Sequence, residues 1–269
     1  MKKQLATPLM LAALISAPSR SQSAGEGEKG KFTVTPAFVS DYYWRGQKQG
    51  GPSFQPSIGY EKGPWSFGLT LAVPMDTKKE KMSETVYPEI DLSASYEFSF
   101  ANDHFKILPG ILAYTYLTAD DSNSTPAPGD DFHKAVIEPT VSFAFSAKDF
   151  NLSLNLYYDV IQKGPSYEVA AGYSISIAER FGVELAALAG KYDQTDVDTI
   201  KTDPKLTSTG NYWQAGVSVP IELTKTMTVT PGWLYSKGYD HIAQRKNEPK
   251  MQLPDEGRGV FSLSFSYTF

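Results

Sequence analysis

From position 32 to the final residue, large apolar side chains recur at every second position in segments of about ten residues. Trp65, Phe67, Leu69, Leu71 and Val73 share one side of such a segment. Ile90, Leu92, Ala94, Tyr96 and Phe98 stand opposite Glu89, Asp91, Ser93, Ser95 and Glu97, and Leu152, Leu154, Leu156 and Tyr158 stand opposite Asn151, Ser153, Asn155 and Asp159. A period of two is that of a β-strand with one apolar and one polar face. About ten residues is the length a tilted strand needs to cross a bilayer. The pattern predicts strands at 32–44, 54–60, 65–75, 86–100, 105–117, 135–145, 150–160, 167–177, 181–192, 213–223, 227–239 and 260–269. The expected fold is therefore all-β: an antiparallel up-and-down transmembrane β-barrel of about 12 strands, an even number as single-chain bacterial barrels have. Ten or fourteen strands are compatible with the same pattern, since alternation alone does not fix strand boundaries.

The connections sort by parity. One set is short, at 61–64, 101–103, 147–149, 178–180 and 224–226. The alternate set is mostly long and polar, at 45–52, 76–84, 118–132, 193–211 and 239–258, with the brief 162–166 as its exception. Short periplasmic turns and long outer loops are the plan of an outer-membrane barrel. The aromatics follow the rims. Trp65, Phe98, Phe145, Phe150, Phe181 and Phe269 are the expected periplasmic-rim girdle, and Tyr42, Trp44, Tyr158, Tyr167 and Trp213 the outer one, because amphipathic rings favour membrane interfaces. Prolines at 36, 56, 74, 88, 109, 139, 220 and 231 fall inside or at the ends of these strands. Each lacks a ladder donor, so each is expected at a bulge, a strand end or a poorly paired stretch.

Lys2 and Lys3, the apolar stretch from Leu5 to Ala17 and the small residues at 21–24 have the form of a cleaved secretory signal peptide. We therefore read 1–23 as signal, 24–31 as a short disordered leader and 32–269 as the barrel. The absence of cysteine suits a wall held by its own hydrogen bonds, and the net charge of −5 argues against nucleic acid as a partner. The expected partners are outer-membrane lipid and small solutes. No residue pattern identifies an oligomer interface, a cofactor or a Cys/His metal site.

Two segments carry a resemblance. The last nine residues, FSLSFSYTF, resemble the closing strand of a bacterial outer-membrane barrel. That likeness implies recognition by the barrel-assembly machinery through Phe265, Tyr267 and Phe269. The stretch FVSDYYWRGQKQGGPSFQPSIGY resembles the opening hairpin of the TorF family of porins, also described as the Gcw_chp group of outer-membrane proteins. Val39, Ser40, Asp41, Tyr42, Arg45, Gly46 and Gln49 carry the likeness, with Gln55, Gly59 and Tyr60 on the return strand. The resemblance implies an outer-membrane barrel that conducts small solutes and names no substrate.

Candidate chemistry lies on the inward faces. Asp41, Glu89, Asp91, Glu97, Glu138, Asp159, Glu168 and Glu184 are the expected acidic pore-lining residues, with Arg45 and Lys106 the clearest basic ones. An acidic lining favours cations, unless loop lysines such as Lys78, Lys79 and Lys81 fold inward. Asp41 and Arg45, side by side near the outer mouth, suit either a constriction or an internal ion pair that stiffens the wall. Two rival classes remain: a non-conducting structural or adhesive barrel, and a barrel hydrolase using rim groups such as Asp240 and His241. Against the second, neighbouring residues on an extended strand point to opposite faces. Asp120, Asp121, Asp130 and Asp131 form an acidic loop with oxygen ligands of the type Ca²⁺ takes, but loop acids are ordinarily solvated. His104 and His133 stand alone.

Overall fold

A computed structural model describes residues 29–75, 88–116, 135–160, 163–195, 206–245, 249–252 and 255–269. The segment read as signal peptide, most of the leader, Lys78, Lys79, Lys81, the acidic loop at 118–132 and His133 lie outside the described residues.

Among the described residues, twelve antiparallel strands form one closed ring. They are β1 (Lys31–Thr35 and Ala37–Val39), β2 (Ser53–Phe54 and Ser57–Lys62), β3 (Trp65–Pro74), β4 (Glu89–Tyr96 and Phe98–Phe100), β5 (Phe105–Tyr116) and β6 (Ala135–Ala147). The second half comprises β7 (Phe150–Asp159), β8 (Gly164–Ala178), β9 (Phe181–Thr195), β10 (Leu206–Ser218 and Ile221–Glu222), β11 (Met227–Arg245) and β12 (Glu256–Thr268). Each strand pairs with the next, and β12 returns to β1, with Thr268 opposite Thr33 and Ser262 opposite Val39. Closure leaves no unpaired edge.

Alternation decides which way each side chain points. On β7, Leu152 and Leu154 are exposed on the outside, while Asn155 and Asp159 are buried toward the lumen. Among the described residues, thirty-four large apolar side chains are exposed, nearly all of them on strands. The buried set is correspondingly polar: Glu89, Lys106, Glu138, Asp159 and Glu168 all face in. The barrel is inside-out relative to a water-soluble core.

Three features differ from the expected strand plan. First, β1 stops at Val39 instead of running to position 44. The chain bends at Ser40–Asp41, and Tyr42–Trp44 pairs with Gln47–Gly50 in a separate two-stranded hairpin. Second, the strands from β8 to β12 are longer than predicted. β11 has nineteen residues, nearly twice the about ten that a tilted strand needs to cross. Its long-loop end therefore runs past the length needed to cross a bilayer, beside the end of β10, which pairs in turn with β9.

Third, the prolines break hydrogen bonds without shifting the register. Phe98 lies opposite Ile107 and Ser95 opposite Gly110, so pairing is continuous across the gap where Pro109 faces Tyr96. Pro36, Pro56 and Pro220 interrupt β1, β2 and β10 in the same way. A register shift does occur elsewhere. Thr209 pairs with Ile242 but Asn211 pairs with Tyr239, so Asp240 and His241 together oppose Gly210. Asp240 sits at φ +53°, as the extra residue of a bulge can.

Candidate functional site: a hairpin folded into the lumen

The Tyr42–Trp44 and Gln47–Gly50 hairpin turns through Arg45 and Gly46, both left-handed at φ +45° and +77°. Two central residues with positive φ make the two-residue type I′ turn that suits the natural twist of a hairpin. Gly46 is required on space as well as on φ. A Cβ there would overlap Tyr212 Cβ on β10 and come within 2.9 Å of Gly238 Cα on β11. The tip thus lies directly against the inner wall.

From its base near β1 and β2 the hairpin crosses to the far side of the barrel. Lys48 Nζ meets Asp41 Oδ1 at 2.7 Å across the base. Tyr43 is buried with Val39, Leu234 and Val260, and the Tyr42 hydroxyl donates to Glu89 Oε2 at 2.8 Å. At the tip, Arg45 makes a bidentate pair with Glu138 of β6, with Nη1 donating to Oε1 at 2.9 Å and Nη2 to Oε2 at 2.8 Å. Only 5% of the arginine side chain and 1% of the glutamate side chain are exposed. The guanidinium lies 4.8 Å from the ring centroid of Trp44 and 5.2 Å from that of Tyr157, and Trp44 packs edge-on against Tyr114.

Tyrosine hydroxyls complete the cluster. Tyr114 donates to Glu138. Tyr157 and Tyr212 both donate to Glu168, at 2.8 and 2.5 Å. Beside them Gln47 bonds Tyr192, whose hydroxyl lies 2.8 Å from His241 Nδ1. The bulge at Asp240 makes this last contact possible. Leu234, Ser236 and Gly238 face in, so strict alternation would turn His241 outward; one extra residue brings it into the lumen. Asp240 itself is exposed, and its backbone N–H donates to Asp255 Oδ1 at 3.3 Å.

These placements revise several expectations. Arg45 pairs with Glu138 and not with its neighbour Asp41. Tyr42 and Trp44, expected in the outer girdle, are inside the lumen, because the bend at 40–41 carries them off the wall. Tyr158, Tyr167 and Trp213 are exposed on the outer surface, as are Trp65, Phe98, Phe150, Phe181, Tyr267 and Phe269. Phe145 packs on Phe105 at 5.0 Å, and Phe265 is half-buried. Toward the short-turn rim Lys106 Nζ meets Glu97 Oε1 at 2.8 Å, and Ser218 donates to Glu184 at 3.1 Å. Asp91 is half-buried and Asp159 buried. Of the eight acids, Asp41, Glu97 and Glu138 meet a cation, while Glu89, Glu168 and Glu184 are held by hydroxyls. No cluster of three or more metal-ligating side chains occurs among the described residues.

Tyr114, Tyr157, Tyr192 and Tyr212 were not singled out from the sequence as lumen groups. The signal was available: each shares its strand's parity with a polar inward residue.

Several solved barrels are similar to this chain. A NanC porin aligns over 88% of this chain and 98% of its own, at 12% identity and a TM-score of 0.49. The toluene transporter TodX of Pseudomonas putida aligns over 99% and 95%, at 12% identity and 0.41. An outer membrane channel from Pseudomonas putida F1 aligns over 94% and 99%, at 10% identity and 0.40. No protein-family model matches the chain, and no curated protein matches it. The likeness to the TorF family thus remains that of the residues around the 42–50 hairpin.

Proposed function

We propose that this protein is an outer-membrane channel of porin type that passes small polar solutes or ions, with a weak preference for cations. One observation carries the reading: a ring without edges is apolar on its outside and charged on its inside. The thirty-four exposed large apolar side chains among the described residues far exceed what a protein leaves in water without a partner surface, whereas they match a lipid-facing belt. A polar, net acidic lining gives water and cations a path. The reading includes export through the 1–23 segment and insertion by way of Phe265, Tyr267 and Phe269.

The test is reconstitution. Purified protein in planar bilayers should give discrete conductance steps, and proteoliposomes should swell faster with cationic than with anionic amino acids. Fastest swelling with anions would refute the acidic lining, and a folded monomer in detergent-free buffer would refute the membrane itself.

A second reading, the non-conducting structural barrel, draws on the burial of Arg45, which fills the lumen at the hairpin tip. It requires that the unaltered protein give no conductance and that channels appear only when residues 42–50 are replaced by a short glycine turn. Channels in the unaltered protein would exclude it.

A further inference from the structure

We propose that the cradle around Arg45 is a binding site for a small solute bearing a guanidinium or similar planar cation, and that Arg45 occupies it as a tethered stand-in. The inference rests on the channel reading and names a solute class for it. Four observations support it. Glu138 presents both carboxylate oxygens to a planar fork, with Tyr114 holding the same carboxylate in place. That is the geometry by which carboxylates recognise guanidinium specifically, as opposed to a point charge. Trp44 and Tyr157 set aromatic rings beside the cation, a further cation-selective contact.

The cluster also contains a second acid that the internal pair does not use. Tyr157 and Tyr212, both against the hairpin tip, hold a second carboxylate, Glu168, so the cluster has two acids for one guanidinium. Finally, the turn has no need of arginine. Its first central position has positive φ, where Asn, Asp or Gly is the usual residue and any other side chain is strained. A strained backbone that delivers one specific side chain to a receiving site is expected where that side chain has a task. The hairpin also crosses the lumen, so a solute in transit meets this cradle.

The test uses the full-length chain folded in detergent, with L-arginine as probe and L-citrulline, its uncharged isostere, as control. In Arg45→Ala the cradle is vacant. Calorimetry should then show L-arginine binding about ten- to a hundred-fold more tightly than L-citrulline, the difference expected for hydrogen bonds to a charged group. The unaltered protein, with its cradle filled, should show less than a tenth of that arginine affinity. Adding Glu138→Gln to Arg45→Ala should reduce the preference at least tenfold. If Arg45→Ala does not fold, Arg45→Gln, which keeps a side chain of hydrogen-bonding size, takes its place in the same comparison.

Equal affinity for both probes, or an arginine preference that survives Glu138→Gln, overturns the site. Swelling of proteoliposomes with a neutral sugar, measured on the same preparations, separates the two readings. Solute flux without arginine preference overturns the site alone. Arginine binding without any flux in any variant overturns the channel.

Discussion

Gly46→Val tests whether the hairpin is held in the lumen by fit. At φ +77° a side chain, especially a β-branched one, costs about 1–2 kcal/mol. The larger effect is steric. The added Cβ would overlap Tyr212 Cβ and stand 2.9 Å from Gly238 Cα, whereas carbon atoms rest at about 3.5–4.0 Å. Both obstacles belong to the wall, and neither is the end of a flexible chain, so the tip must retreat by roughly 1 Å or more. Arg45 bonds at 2.8 and 2.9 Å then stretch to about 3.8 Å, beyond hydrogen-bond range. Breaking a buried pair in this way costs about 3–5 kcal/mol. Together these terms favour expulsion of residues 42–50 from the lumen, while the wall keeps its ladder. The expected result is a larger single-channel conductance than that of the unaltered protein, with unchanged heat-modifiable mobility of the barrel on gels. Unaltered conductance, with the Trp44 near-ultraviolet signal intact, would show that the tip tolerates the clash and that steric fit does not hold it.

Other perturbations probe independent parts of the structure. Glu138→Ala should destabilise the barrel by about 3–5 kcal/mol in urea titrations, and Arg45→Met in the same chain should recover much of that loss, as a double-mutant cycle will show. Leu154→Arg, midway along the outer face of β7, should cost about 2–4 kcal/mol in lipid vesicles; a neutral result would mean that this face does not contact lipid. Deletion of Asp240 removes the bulge and leaves His241 alone opposite Gly210, still facing in. A cysteine at 241 should therefore react with an aqueous maleimide at the same rate with and without Asp240, and a changed rate would show that the bulge does more than absorb one extra residue.

Much of the wall was legible because a barrel strand writes its environment into residue parity. β3 and β7 have nearly the predicted ends, 65–74 against 65–75 and 150–159 against 150–160. Where two sides of a segment face different solvents, a register error would expose every residue wrongly, and the sequence is therefore strict. The site was less legible for three physical reasons. Tyr42 and Trp44 continue the alternation of β1, so periodicity alone could not show that the chain leaves the wall at Ser40–Asp41. Partner choice followed sequence proximity, which favoured Asp41 for Arg45, whereas the observed partner Glu138 lies 93 positions away. The bulge that aims His241 inward is a single extra residue without a distinctive sequence mark. The prolines misled in the other direction, since a missing donor removes one bond and leaves the neighbouring pairs in place.

Two prolines on the strands that lead into and out of the inserted hairpin set the mechanics of its support. Pro36 and Pro56 face one another across β1 and β2, a placement given by Phe38 opposite Phe54 on one side and Thr35 opposite Ser57 on the other. Phe265 donates to the Pro36 carbonyl at 3.0 Å and Leu71 to the Pro56 carbonyl at 2.9 Å. Neither proline can return a bond. At this height the staves that carry the insert remain tied to each other, with Gln55 donating to Ala37 at 2.7 Å, yet each is attached to its outer neighbour by half the usual stitching. A pull on the insert would thus be absorbed as a tilt of these two staves together, leaving the other ten undisturbed.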